Sequence, residues 1–451
     1  MNTAAVGAKT QTRSGDLQPD AAAAAVARLG HLGAPSEAWA ETAWGALQGW
    51  LAEDKLEVQQ AEHGGCRYLL VKVAAARPAF ADGHPQALLI SARLEPECVR
   101  SNSGCTAHGI GIARGGWLAV QAIAAARALH EKQASGGCVA GRDLIVSVEV
   151  DARHLKHADD LAEQPVLEAL SCSAFALAEW GGWPLETGKR RAVPIAVAQK
   201  GRLVVRLRSR AESQNPALAI GANAIDGLHA ALAAVAAMPR PWRKTAAAKA
   251  FVSAMAELSG LGKGLAWRAL LGGGTWQRTM ARFPRANRGL LDALFHDTVT
   301  PLSVSATEVY GGTPVVAEAT LDCRLLPGAD QAQFLSRLRA SVGEDVEVEV
   351  LRSRPAVTAP LHTPLVRQLM QSIERHDPTS QAVPILMPGT SDALGWRQAA
   401  VPCYGFSPLQ LPADQDALRL WDTGLLAPDD AQLRWGAEVM IDVVERFCVT
   451  G

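Results

Sequence analysis

The chain changes its hydrophobic period at Gln199-Lys200-Gly201, and that change restricts the fold more than any other feature. Upstream, residues 143–150 form a β-branched, nearly continuous apolar run, the pattern of a strand buried on both faces. Downstream, residues 202–208 alternate. Leu203, Val205 and Leu207 share one face, and Arg202, Arg206 and Arg208 the other, as in a half-exposed antiparallel strand. A sheet covered on both faces and a sheet open to water on one face are different objects. The sequence therefore predicts two units, as does its length of 451 residues, which is too great for one small core.

The first unit carries alternating strand and helix signals. Helical periodicity covers 20–56, strands are predicted at 68–73, 87–91 and 143–150, and helices at 115–129 and 161–170. This is an α/β pattern with a mixed sheet and helices on both faces. The second unit reads strand, helix, strand, strand, helix, strand: 202–208, 220–237, 302–309, 317–326, 330–342 and 346–351. Such an order builds an α+β layer with one open sheet face. It looks inserted, because helical patterns at 363–376 and 433–447 return around an apolar strand at 401–406. The boundaries read as a disordered tail at 1–18, the α/β domain at 19–197 and 357–451, and the α+β domain at 198–356, with a further insertion at 239–300 rich in glycine and tryptophan. Trp242, Trp267 and Trp276 there suit either a binding or dimer surface or packing within the insertion.

A formal net charge of −1 argues against a nucleic-acid partner, which wants a basic face, and no polybasic run points to a membrane surface. Apolar runs such as Leu88-Leu89-Ile90 are too short to span a bilayer. The start of the chain lacks the pattern of a secretion signal, and the eight cysteines are scattered. A cytoplasmic protein with reduced thiols is the expectation.

Several stretches resemble the zinc metallopeptidase family of carboxypeptidase S, aminoacylase, acetylornithine deacetylase and succinyl-diaminopimelate desuccinylase. They are Pro184-Leu185-Glu186-Thr187-Gly188 leading to Val197-Ala198-Gln199-Lys200-Gly201, then Thr320-Leu321-Asp322-Cys323-Arg324, Pro388-Gly389-Thr390-Ser391-Asp392, Val401-Pro402-Cys403-Tyr404-Gly405-Phe406 and Leu433-Arg434-Trp435-Gly436. The resemblance runs from about residue 35 onward in matching order. It implies a catalytic-type α/β domain interrupted by a lid domain that often makes a dimer. It also implies a pair of zinc ions sharing an aspartate and a water, with a glutamate as general base.

The residues at the implied ligand positions depart from that set. Where a histidine should follow the strand at 87–91 stands Arg93, a cation that cannot bind zinc, with Glu95 in place of an aspartate. The run Gly109-Ile110-Gly111-Ile112-Ala113-Arg114-Gly115-Gly116 lacks the bridging carboxylate; its glycines mimic a dinucleotide loop but suit the family pattern better. The paired glutamates are replaced by Glu149-Val150-Asp151, in which one or both acids are candidate survivors. Ala178 beside Glu179 stands for another acid, and Arg419-Leu420-Trp421-Asp422-Thr423-Gly424 holds no histidine. The lid positions expected to contact substrate are Ser209-Arg210-Ala211-Glu212-Ser213 and Gly311-Gly312-Thr313.

These residues allow sharp and bland readings. Arg93 could bind a substrate carboxylate through its planar fork, or form a salt bridge with Glu95, Glu97 or Asp151. Gly389, Thr390, Ser391 and Asp392 could hold a carboxylate at a helix start, or merely cap that helix. Cys98, Cys105 and His108 could form a small metal site or a thiol nucleophile with its base, although their spacing matches no zinc pattern. His154 and His157 suit exposed polar positions.

The first expectation is a pseudoenzyme without metal or cofactor. It would bind a small carboxylate or acyl-amino acid through Arg93, Arg114 and residues 389–392, and it would form a homodimer through the lid or a heteromer with an active partner. The second is a metal-independent enzyme that makes or rearranges an amide with Arg93, Glu95, Asp151 or Glu179. The third is an unusual zinc amidohydrolase using Glu95, Cys98, Cys105, His108 and Asp151.

Overall fold

The computed structural model describes residues 37–52, 56–63, 66–77, 87–94, 99–101, 104–106, 113–151, 171–187, 190–218, 221, 223–274, 276–307, 311–389, 391, 400–412 and 429–449. The expected tail at 1–18 and helix at 161–170 lie outside them. Among the described residues no helix is long and apolar enough to cross a membrane.

The chain begins with α1 (Glu37–Ala52), β1 (Glu57–His63), β2 (Cys66–Val73) and β3 (Ala87–Leu94). A short hairpin follows, β4 (Val99–Ser101) with β5 (Gly104–Thr106), then α2 (Ala113–Ala134), β6 (Leu144–Asp151), β7 (Ser173–Ala178), β8 (Leu185–Glu186) and β9 (Arg191–Gln199). Among the described residues the large sheet has ten strands. Its main path is β1-β2-β6-β3-β7 followed by β16 (Cys403–Gly405), β9 and β14 (Val357–Thr358), while β8 and β15 (Ser380–Met387) pair with β9. Strands β6, β3, β7 and β16 run parallel; β2 opposes β6, and β9 opposes β16. Helices α9 (Pro364–His376) and α10 (Asp430–Cys448) complete this unit. The buried run predicted at 143–150 is the centre of β6, with Leu144, Val146 and Val148 fully enclosed.

Crossing Lys200 brings the chain into a second, four-stranded antiparallel sheet. Its strands are β10 (Gly201–Arg210), β11 (Thr298–Ala306), β12 (Val316–Leu325) and β13 (Val346–Arg354), in the order β11-β12-β10-β13. Helices α3 (Ala224–Ala237) and α8 (Gln331–Val342) supply Leu228, Ala231, Phe334 and Leu338 to a core with Leu203, Val205, Leu207, Ala319 and Leu321. On the other face Arg206 meets Glu349 at 3.2 Å, and Arg208 meets Glu318 and Glu347 at 2.5 and 3.2 Å. The alternation of 202–208 thus separates core from charged ladder. The mixed α/β architecture with a second α+β unit is the one expected.

Two boundaries differ from expectation for local reasons. The helix predicted from 220 starts at Ala224, because Asn223 caps it and shares a capping box with Asp226. The strand predicted at 302–309 lies at Thr298–Ala306; it is an edge strand, and its register shifts between Pro301 and Ser303, where proline cannot donate to the ladder.

The insertion differs more. Helices α4 (Ala246–Leu258), α5 (Gly260–Ala269), α6 (Trp276–Met280) and α7 (Arg285–Phe295) lie between α3 and β11 in sequence. Their apolar residues do not join the core of the small sheet. Ala247, Ala248, Phe251, Val252, Met255 and Leu258 form one stripe of α4 that packs on β15 and β9, in the same buried cluster as Ile385 and Leu365. The tryptophans settle into this packing: Trp242 stacks on Phe295 with centroids 5.6 Å apart, and Trp267 meets Phe283 edge-on at 4.9 Å.

Candidate functional site

In a sheet with parallel strands, ligand sites form outside the carboxyl ends of those strands. The carboxyl ends of β3 and β6 bring together Arg93 and Glu149, and Glu179 follows the neighbouring strand β7. Pairing of β3 with β6 sets Arg93 directly beside Glu149, and β2 sets Tyr68 on the other side of Glu149. Side chains alternate along each strand, so this row shares a face with Leu89, Ile145 and Ala176, and the opposite face carries the main core. Arg93 and Glu149 form an ion pair, Nε to Oε1 3.7 Å, with side chains only 10% and 8% exposed. Glu149 is a partner that the sequence reading did not name, and strand register makes 93 and 149 neighbours. The side chains of Glu95, Glu97 and Asp151, the salt-bridge partners weighed for Arg93, lie outside the described residues.

Glu179 follows β7 and is half-buried. The turn after it is conformationally demanding. Trp180, Gly181 and Gly182 all have positive φ, at 90°, 89° and 85°. Gly182 donates to Pro194 O at 2.8 Å, and its own carbonyl accepts from Leu409 N at 3.0 Å. A Cβ on Gly182 would lie 2.6 Å from the carbonyl carbon of Ser407, so only glycine lets the strands approach this closely. Trp180 tolerates its position because its ring is buried edge-on against Trp183, with centroids 5.3 Å apart. Glu179 therefore sits on a backbone clamped from both sides.

The turn at Gly389 and Ser391 is held at the junction of the two sheets. Ser391 donates from its backbone N–H at 2.8 Å and its hydroxyl at 3.3 Å to Gln199 Oε1. Next to Gln199, the fully buried Lys200 turns the other way and donates to the His296 carbonyl at 2.7 Å. Burial pushes the Lys200 ammonium down to about 8, against the opposing pull of Asp297 and Asp292. Asp297 in turn accepts from Leu326 N–H at 2.8 Å. Gln199 and Lys200 carry no metal-type signature; only their place in a family-like motif marked them.

Other candidates are described in part or not at all. Arg114 lies at the start of α2 and Asp151 ends β6, paired in register with Cys66, but their side chains are outside the described residues. Cys105 lies in β5, opposite Arg100. Glu95, Cys98, His108, Thr390, Asp392 and 419–424 are outside the described residues. At the lid positions, Gln214 and Thr313 clasp each other, each donating a backbone N–H to the other at 2.9 Å. Among the described residues no group of three or more histidine, cysteine, aspartate or glutamate side chains is placed to hold a metal ion.

No protein-family model and no curated protein sequence matches this chain. Solved structures do. The chain is similar to an M20 family metallo-carboxypeptidase, Sso-CP2, from Sulfolobus solfataricus, at 11% identity and a TM-score of 0.61, covering 95% of this chain and 99% of that one. The di-peptidase Dug1p from Saccharomyces cerevisiae aligns at 9% identity over 96% and 95% of the two chains, with a TM-score of 0.59. Human carnosine dipeptidase 1 aligns at 10% identity over 94% and 95%, with a TM-score of 0.58. The fold is that of the M20 metallopeptidases and related amidohydrolases, over essentially the whole chain.

Proposed function

We propose that this protein is a metallopeptidase-like binding or scaffold subunit, which receives a small carboxylate or acyl-amino acid at the carboxyl ends of β3, β6 and β7 without zinc-dependent hydrolysis. The observation that carries the reading is the buried Arg93–Glu149 pair. Arg93 stands where the family resemblance places a histidine ligand. A guanidinium there has no lone pair for a metal and repels a dication, while Glu149 is engaged by Arg93. This pair speaks against a zinc pair at the strand ends. Arg93 offers a carboxylate a planar cationic fork, and Arg114 and residues 389–392 are proposed to add further cationic and N–H groups.

Metal analysis of the purified protein, before and after incubation with zinc and dialysis, tests this. Near-zero retention is the expected result. About two zinc ions held per chain would overturn the reading and direct attention to N-acyl amino-acid hydrolysis.

A metal-independent enzyme is the second reading. Glu179 favours it, because a half-buried carboxylate on a turn with a left-handed tryptophan resembles the strained settings where chemistry is held. Turnover of an N-acyl amino acid that survives chelator and is lost in Glu179→Gln would select this reading over the first.

For assembly, we propose a homodimer through the small sheet, with a heteromer with an active partner as the alternative. The edge strand β11 exposes Leu302 by 55% and Val304 by 62%. Light scattering showing a dimer that dissociates in Val304→Lys supports it; a monomer sinks it. A cytoplasmic location is proposed with it.

A further inference from the structure

A cavity of about 650 Å³ opens in the helical insertion, and its lining includes none of Arg93, Glu149 and Glu179. Its lining includes Arg240, Trp276, Met280, Arg288, Asp292 and His296. The volume is that of a small-molecule site. One wall is apolar and aromatic. Trp276 is held in place by Phe295 and His296, with ring centroids 5.1 and 5.0 Å away, and Met280 is buried beside it.

The polar groups are pre-positioned rather than loose. Arg288 donates from Nε to the Phe283 carbonyl at 3.0 Å and from Nη2 to the Ala281 carbonyl at 3.1 Å, which fixes the plane of its guanidinium. Arg240 Nη1 donates to Asp292 Oδ2 at 2.8 Å, and the other oxygen of Asp292 meets His296 Nδ1 at 3.1 Å. The lining thus holds two guanidinium groups and one carboxylate, and it keeps a net positive charge even with His296 neutral. Each guanidinium has more N–H donors than these bonds occupy.

We propose that this cavity is a second ligand site, for a small planar aromatic carboxylate. The ring would lie against Trp276 and Met280, and the carboxylate would take the planar forks of Arg240 and Arg288. Fixing the arginines beforehand lowers the ordering cost of binding. The site does not depend on the reading of Arg93 and Glu149.

The test is calorimetric titration of the full chain with benzoate, with acetate and inorganic phosphate as comparisons. The expected result is saturable benzoate binding at one site per chain, with acetate and phosphate weaker by about tenfold or more, a difference of about 1.4 kcal/mol. Arg240→Gln, a change at an exposed side chain, should weaken benzoate by about tenfold or more, as should Trp276→Ala, with circular dichroism checking the fold. If Trp276→Ala does not fold, Arg240→Gln alone decides. No saturable heat, equal affinity for phosphate, or unchanged benzoate affinity in Arg240→Gln overturns the proposal. So does benzoate binding that is lost in Arg93→Lys but kept in Arg240→Gln, since that assigns it to the other cleft.

Discussion

Three buried charged groups, Arg93, Glu149 and Lys200, carry the most consequence at the scale of single residues. Arg93 and Glu149 lie side by side with little solvent, so removing one takes a close counter-charge from the other. Such truncations cost about 3–5 kcal/mol, whereas replacing both partners with apolar groups is often neutral or stabilising. Arg93→Met should therefore lower urea stability strongly, and Arg93→Met with Glu149→Leu should recover much of it. If the double variant is no more stable than the single, the two charges do not act as a pair. Lys200 behaves differently because it titrates near neutrality. Its pKa falls from the usual 10.5 to about 8 in the folded chain. Below pH 8 both folded and unfolded chains hold the proton, and the cost of burying the charge is felt in full. Between pH 8 and 10.5 the unfolded chain holds it while the folded one has lost it, so stability from this group rises with pH. The full shift corresponds to about 3 kcal/mol. The advantage of Lys200→Met over the native chain, measured by denaturant titration, should be largest below pH 8 and shrink toward pH 10.5. A difference flat across that window would mean that Lys200 keeps an ordinary pKa.

At the scale of elements, the turn after β7 shows how a short segment is over-determined. Gly182 has positive φ, and a Cβ added there would approach the Ser407 carbonyl carbon to 2.6 Å. Gly182→Ala must therefore move the loop after β16 as well as strain its own backbone. The expected loss is about 2–3 kcal/mol in thermal or urea unfolding. A loss below about 0.5 kcal/mol, the ordinary range for a surface change, would show that the loop gives way freely. The helices and strands themselves were largely legible. Alternation in 202–208 named the two faces of β10, and Thr363, Asp330 and Asp429 cap α9, α8 and α10 close to the predicted starts. Strands β7, β9 and β15 were not predicted. Ser173–Ala178 and Arg191–Gln199 are rich in alanine, whose strand propensity is low, and their place is decided by neighbours rather than by local preference.

For the whole molecule, the insertion is the feature that only packing explains. It leaves the chain between two elements of the small unit yet buries α4 against β9 and β15 of the large sheet. It is also tied to the junction, through Lys200 to the His296 carbonyl and through Asp297 to Leu326 N–H. Amide hydrogen exchange should therefore protect α4 together with β15, in one cooperative unit. Exchange of α4 at the rate of the exposed strand β11, with β15 still protected, would contradict that. Sequence alone determined the two-unit plan, because a buried strand and a half-exposed strand have different periods whatever surrounds them. It also singled out Arg93, Glu179 and residues 389–392 as candidates, since their motifs are local. Tertiary structure alone set Glu149 beside Arg93, joined Gln199 to Ser391, and built the Arg240–Trp276–Arg288 cavity. Those contacts depend on strand register and helix docking between residues far apart in the chain, and no local pattern of residue types encodes either.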